Sequence, residues 1–441
     1  MIGGGLAGIT ASLALAKQGV QVQLLEARRQ LGGRTGSFID SQSQETIDYC
    51  QHVGMGCCTN LKMLIGWLGQ RGYWDTHEQL HFYGPDGSYQ LLAAWPLVPA
   101  PLHISSWLWR WPGLTLRDRV SVARGLLAVR RLKISSKTDG IEAQSWLQQH
   151  SQTDGAIARF WRTIAVSALG EELARVNLSA LAKVIQDGFL KQRDAFHLLV
   201  PNRPLGELFG TMAEKVLREN GVDVQLGNRV QPLVALSNEK FAVDNKLLRT
   251  QNADAVVMAV PWFRVRDLID SIDTPDFQQV NQNAQRLTAS PISGVHSWWD
   301  RPWMDTPHAA IVGRLCQWVF PKVSPVSVDA SQRYEHYYQI VISASRQLPR
   351  GDSSAVAQQI QADLAAVFPQ AGKARLLRIQ TVTEPNSVFS LTTEAARLRP
   401  RTRIGNSNVW LAGDWVQTGW PATMEGAIIS GLQAADGILA S

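Results

Sequence analysis

The chain is poor in the residues that would place it in several large classes. Among 441 residues there are only four cysteines, Cys50, Cys57, Cys58 and Cys316. Their spacing matches no metal-binding pattern, and the adjacent pair Cys57-Cys58 is a poor structural disulfide, so buried reduced thiols are expected and no metal site is. No run of eighteen apolar residues occurs, which excludes an ordinary spanning helix. No Lys/Arg-rich tail or nucleic-acid recognition module is visible, although basic residues outnumber acidic ones 43 to 37, giving a net charge of +6. No basic segment precedes the apolar residues 5–16, so a signal peptide is not expected and the chain reads as cytoplasmic. What remains is a chain 45% hydrophobic, long enough for two or three domains or one interleaved pair, with sixteen tryptophans.

The organising stretch is the start. Gly3, Gly5 and Gly8 in Met1-Ile2-Gly3-Gly4-Gly5-Leu6-Ala7-Gly8 fit G-x-G-x-x-G. A dinucleotide site needs glycine there for a tight turn, for backbone approach to a pyrophosphate, and for close helix–strand packing. The helix that follows, Leu6 to Gln18 before Gly19, points its free N–H groups and positive dipole end at the phosphates. Val20–Leu25 reads as the second strand, and Glu26 ends it eighteen residues after Gly8, placed to accept both ribose hydroxyls. Gly32-Gly33-Arg34 begins six residues beyond Glu26. A plain NAD site is the alternative, but Glu-x5-Gly-Gly-Arg resembles the FAD-binding arm of the amine oxidase and carotenoid desaturase superfamily. Only Met1 and Ile2 precede Gly3, so the normally central, apolar first strand is nearly absent. Either the natural start lies upstream or the strand is stunted, and an exposed start is expected to weaken FAD retention.

Residues 61–71 read as a helix, and His81-Phe82-Tyr83 and Tyr89–Leu92 flank the turn Gly84-Pro85-Asp86-Gly87 as a hairpin. Residues 93–113 have the most unusual composition. Trp95, Trp107, Trp109 and Trp111 alternate with Pro96, Pro99, Pro101 and Pro112, which forbid one long helix. Thr115-Leu116-Arg117-Asp118 resembles a capping box, and the helix it opens carries Arg117, Arg124 and Arg131 on one face, with Arg119, Arg130 and Lys133 nearby. Aromatic anchors beside a basic helix suggest monotopic docking on an anionic membrane, at the inner face of the cytoplasmic membrane. The other reading is a lid over an apolar cavity with a solvated basic face. Helices are expected over 143–190 and from Val200–Leu208 through Glu219, then a strand at 221–226, a buried parallel strand at 253–260, strands between 286 and 344, and an amphipathic helix at 353–368.

Three stretches carry a more specific resemblance. Asp48-Tyr49-Cys50-Gln51-His52-Val53-Gly54-Met55-Gly56-Cys57 is similar to the Asp-x-Gly-Gln-His-x-x-x-Gly-Cys region of the hydroxysqualene dehydroxylases, also called squalene-associated FAD-dependent desaturases, with Cys50 where that family usually has glycine. Phe160-Trp161-Arg162 and the following Ala165–Leu169 echo its Phe-Trp-x-Pro-Leu…Ala-Leu-Asn pattern, with Thr163 and Gly170 replacing proline and asparagine. Val409-Trp410-Leu411-Ala412-Gly413-Asp414 through Trp420-Pro421-Ala422-Thr423-Met424-Glu425-Gly426-Ala427 matches the family's ending closely.

The resemblance implies an α/β fold. It pairs a Rossmann-like FAD-binding domain (1–60, 196–265, 395–441) with an α+β substrate domain (61–195, 266–394) that contains an antiparallel sheet and a helical insertion; 93–133 would be the docking or lid segment. It implies non-covalent FAD, since no cysteine lies beyond Cys316 to form a cysteinyl link. FAD contacts would come from Gly3, Gly5, Leu6, Ala7, Gly8, Glu26, Ala27, Arg28, Gly33, Arg34, Val230, Gly413, Asp414, Pro421, Ala422 and Thr423. Val230 would meet the adenine, Asp414 the ribityl end. Pro421 would open the last helix, whose dipole faces the flavin N1–C2=O edge. Gln51 and His52 are candidates for the reaction chamber, His52 either as the acid or as a structural hydrogen-bonder.

The implied reaction is removal of an allylic hydroxyl from hydroxysqualene to give squalene for hopanoid synthesis. An acid would release water, aromatic faces would steady the allylic cation, and hydride from flavin N5 would quench it. The alternatives are a carotenoid or phytoene-type desaturase or isomerase, an amine oxidase, and a non-catalytic prenyl-lipid carrier. The partners expected are an apolar isoprenoid, a membrane surface and an electron donor of unknown kind, with no nucleic acid.

Overall fold

A computed structural model describes residues 1–230, 232–235, 241–243, 251–322, 336–349 and 353–441. Parts of the stretches expected at 196–265 and of the strand-rich run at 286–344 fall outside these described residues.

Two sheets organise the chain. The first is parallel. Gln23–Leu25 pairs with Asp223–Gln225, and Val256–Met258 pairs with Val409–Leu411. Ile2 joins the two pairs, bridging Leu25 on one side and Met258 on the other. The start is therefore not exposed: Ile2 N–H donates to Val257 O, Gly3 N–H donates to Leu25 O, and Ile2 is buried. Its neighbours supply ladder partners on both edges.

The helix Leu6–Ala16 follows at once and stops before Gly19, which takes a φ of +79°. It is made of small and aliphatic residues, and nearly every one is buried. The last helix, Met424–Leu439, packs on it through Gly431, where a Cβ would stand 2.4 Å from Ala7 O. Only glycine permits that approach.

The second sheet has seven strands in the order Leu376–Phe389, Ala289–Trp299, His336–Ser343, Trp318–Lys322, Ala309–Ile311, Gln79–Tyr83, Tyr89–Ala93. All neighbours are antiparallel except Ala309–Ile311 with Gln79–Tyr83. Alternation sets its faces: Leu80 and Phe82 point one way, while Tyr83 meets Phe368 after the helix Ser353–Val367. Helices between residues 102 and 190 cover the Leu80/Phe82 face.

The expected capping box forms in full. Thr115 accepts from Asp118 N–H, and Asp118 accepts from Thr115 N–H, opening the helix Leu116–Arg131. Several expected boundaries move: the second strand, expected from Val20, begins at Gln23, and the buried parallel strand expected at 253–260 runs Val256–Met258. The helix placed at 61–71 runs Thr59–Trp67 and is ended by Gly69 in the left-handed region. Pro421 does not lie in the first turn of the last helix; that helix starts at Met424, with Thr423 as N-cap accepting from Gly426 N–H. The Thr423 side chain supplies the start signal that the proline was expected to give.

Candidate active site

Two neighbouring regions carry the chemistry. In the first, the glycine loop sits against the Gly32-Gly33 turn. Gly32 N–H donates to Gly4 O, and a Cβ on Gly33 would stand 3.1 Å from Gly5 Cα. Gly3 takes a φ of +102°, and a Cβ on Gly8 would stand 1.9 Å from Gly3 O. A Cβ on Gly5, in contrast, would meet no atom within 4 Å. The helix beginning at Leu6 and Ala7 has no side-chain cap, so the N–H groups of its first turn stay free for an anion.

Glu26 is buried, and its two carboxylate oxygens each accept one backbone N–H, from Gly4 and Arg28, at 2.7 Å. Each oxygen keeps acceptor capacity for a ribose hydroxyl. Ala27 and Arg28 are exposed beside it, and Arg28 donates to Gly33 O. Val230 is half-buried against the main core.

Arg34 donates to Asp414 and to Ser387 O, and its guanidinium lies 5.8 Å from the Trp262 ring centre. Asp414 is buried, beside Gly413 with a φ of +143°. Arg399 braces this loop from beneath by donating to Asp414 O, Trp415 O and Val416 O. Burial pulls its pKa down to about 10, and the nearby Asp414 charge only partly offsets this. Open space over Gly5, free helix N–H groups and acceptor capacity on Glu26 all suit a dinucleotide.

The second region is a partly open cleft with a cavity volume of about 230 Å³. The seven-stranded sheet contributes Leu80, Phe82, Trp318, Phe320 and Val341, and the helical insertion contributes Trp107, Trp111, Ile164, Val184 and Phe189. The polar lining of the cleft includes Gln51, Cys57, Cys58, Thr163, Ser167, Ser343, Lys183 and Asp187, and the stretch Trp420–Glu425 apart from Ala422 also lines it. Ala422 is buried outside this wall.

Gln51 faces the cleft; its Nε2 donates to His52 O, and its Oε1 is buried without a protein partner. His52 does not line the cleft. Its Nδ1 lies 3.0 Å from Cys50 O, which fixes the proton on Nδ1 and leaves Nε2 as an acceptor in the neutral ring. Burial lowers the His52 pKa, outweighing that bond and the Asp48 charge. A neutral imidazole in this tautomer accepts a proton more readily than it gives one.

Asp48, quoted in the same motif, is buried and structural. It accepts from Ser37 Oγ and from Leu205 N–H, tying the Gln-His segment to the hairpin Ser37–Ile39/Thr46–Asp48 and to the helix beginning at Gly206.

Sequence reasoning passed over Glu425, Lys183 and Asp187. Buried Glu425 accepts from Asn60 N–H, Asn60 Nδ2 and Leu61 N–H, joining the last helix to the start of Thr59–Trp67. Lys183 and Asp187 pair one turn apart at 2.6 Å. Burial alone would raise Asp187, but bonds from Lys183 and Lys191 outweigh it and the carboxyl ends below its usual value. Among the described residues no cluster of side chains is fit to hold a metal ion.

A family model described as flavin containing amine oxidoreductase matches residues 6–439. The chain belongs to that family. It is 26% identical to a hydroxysqualene dehydroxylase of Zymomonas mobilis, over 99% of this chain and 97% of that protein. It is 27% identical to a 15-cis-phytoene desaturase of an Oncidium hybrid cultivar, over 99% of this chain and 77% of that protein. Similar solved structures include an oxidoreductase from Methanosarcina mazei (16% identity, TM-score 0.71, 99% of each chain). Another is putrescine oxidase (16% identity, TM-score 0.68, covering 100% of this chain and 98% of that one). These share the fold. The protein is an FAD-dependent oxidoreductase of the group that includes carotenoid desaturases and hydroxysqualene dehydroxylases.

Proposed function

We propose that this protein removes the allylic hydroxyl of hydroxysqualene reductively, giving squalene. The carrying observation is the cleft: a chamber walled mainly by aromatic and aliphatic side chains, with a few polar ones among them, including Gln51, Lys183 and Asp187. Similarity to hydroxysqualene dehydroxylases over nearly their whole length supports the same reading. FAD, held by the Gly3–Gly8 loop, Glu26, Arg34 and Asp414, supplies the two electrons. The chain's own work is placement. Phe82, Trp111, Phe189 and Trp318 bury the polyene and exclude water. The same ring faces stabilise the positive charge that develops when the hydroxyl leaves. A neutral His52 is poorly suited to protonate that hydroxyl, so proton delivery falls to a polar group of the cleft lining.

A second reading, desaturation of a hydrocarbon polyene, is favoured by the comparable identity to phytoene desaturases. Product analysis separates the two. Squalene as the product from hydroxysqualene supports dehydroxylation; a more conjugated polyene as the only product from any isoprenoid offered contradicts it.

We also propose that the protein takes this substrate from an anionic bilayer. The segment 93–113 is split between two environments. Trp107 and Trp111 are buried and line the cleft, while Leu97 is 98% and Trp109 63% exposed. The helix Leu116–Arg131 buries Val122, Gly125 and Val129 but leaves Leu116, Val120 and Leu127 exposed beside exposed Arg117, Arg124 and Arg131. An apolar stripe flanked by cations suits acyl chains beneath anionic headgroups. Among the described residues no helix is long and apolar enough to cross a membrane. Replacing Arg124 and Arg131 with Gln should weaken sedimentation with phosphatidylglycerol vesicles roughly thirtyfold, at about 1 kcal/mol per basic residue. Unchanged sedimentation would overturn the docking surface.

A further inference from the structure

A cleft for hydrocarbon has no use for an ion pair in its wall, yet this one contains Lys183 and Asp187. Both belong to the helix Leu178–Ile185 and its continuation Gln186–Leu190. The stripe that faces the cleft is Lys183, Val184, Asp187 and Gly188, while Leu181, Ala182 and Ile185 pack into the core. The charged pair thus lies on the chamber side of the helix. The two side chains are only 22% and 13% exposed.

The arrangement leaves hydrogen-bonding capacity pointing at a ligand. Lys183 has three N–H donors. One meets Asp187 at 2.6 Å, and the ammonium lies 4.8 Å from the ring centre of Trp420. Trp420 lines the same cleft and immediately precedes Pro421. Asp187 receives Lys183 and Lys191, which keeps it ionised and the Lys183 head fixed. An exposed pair of this spacing contributes only a few tenths of a kcal/mol, so stability gives little reason to dehydrate it here.

We infer that the Lys183–Asp187 pair is the hydroxyl-recognition element of the cleft, holding the oxygen of a hydroxylated isoprenoid while the aromatic walls hold its chain. The inference rests on the reading of the cleft as an isoprenoid site and adds what selects an alcohol over a hydrocarbon of the same skeleton.

The test compares two ligands in flavin-loaded enzyme. Lys183→Met keeps the aliphatic stem and removes the donor. It is expected to raise KM for hydroxysqualene about tenfold to a hundredfold, the usual effect of losing a hydrogen bond to a charged group. Inhibition by squalene, which has no oxygen, should change less than about twofold, because only apolar contacts hold it. Flavin content should be unchanged. Lys183→Arg, which keeps a donor, should retain most of the affinity and serves as the check if the Met variant folds poorly. Equal weakening of both ligands, or an unchanged KM for the alcohol, would overturn the inference alone. Wild-type protein that binds neither ligand would instead contradict the reading of the cleft.

Discussion

Gly5→Val is expected to yield a folded protein that has lost its flavin. Gly5 has φ −74° and ψ 179°, extended backbone that valine adopts without strain. A Cβ there meets no protein atom within 4 Å. The added side chain would instead occupy the space over the helix N-terminus where a pyrophosphate must sit. Losing two such charged hydrogen bonds, at about 1.5–3 kcal/mol each, weakens FAD binding by at least about a hundredfold. Flavin absorbance per protein, read beside a thermal melt, checks this. Gly8→Val is the contrasting control, because its Cβ would collide with Gly3 O and the damage should reach the fold itself. A Gly5→Val protein with full flavin content would mean that the loop does not hold the phosphates.

Arg378→Met is expected to be the most damaging single change to stability away from the flavin. Its guanidinium donates twice to Asp40, packs 4.2 Å from the centre of the Trp298 ring, and bonds Gln380 Oε1. Asp40 is buried, with Ser43 as its other partner. The Arg378 bond outweighs burial and holds the Asp40 carboxyl well below the usual carboxylate range. Breaking such a pair by removing one member costs about 3–5 kcal/mol. The pH dependence has a definite sign. A depressed carboxyl contributes stability that is present above its unfolded pKa of about 3.9 and is lost as pH falls toward its folded value. Wild-type protein therefore loses this contribution in acid, while the variant has none to lose. The gap between the two, measured by urea unfolding, should be widest near neutral pH and should narrow below about pH 4. A constant gap would show that Asp40 is not the group responsible.

Both predictions rest on features of different legibility in the sequence. The glycine loop was legible because glycine at three fixed positions reports backbone crowding directly: Gly3 and Gly8 are where a Cβ would collide. The long helices and several antiparallel strands followed from residue pattern, and Thr115–Asp118 from its local chemistry, but the longest strand, Leu376–Phe389, carried no signal that was read. The short first strand misled, because a single residue gains its stability from two neighbours that are distant in sequence, Leu25 and Met258. Pro421 misled because Thr423, two residues on, makes the stronger N-cap. Composition alone could not divide the tryptophans of 93–113 into Trp107 and Trp111, which are buried, and Trp95 and Trp109, which are exposed. Lys183 and Asp187 look like an ordinary solvated helix pair until the sheet closes a chamber over them. His52 stood out by its motif, but its tautomer is set by Cys50 O.

The central claim concerns the direction of electron flow, and one measurement addresses it. The purified protein is reduced chemically without oxygen and mixed with hydroxysqualene, while flavin absorbance is followed and products are separated by chromatography. Dehydroxylation predicts flavin reoxidation in step with squalene, one molecule for each flavin. Flavin that stays reduced with no squalene formed, in protein with its FAD intact, would contradict the account and favour oxidation of a polyene instead.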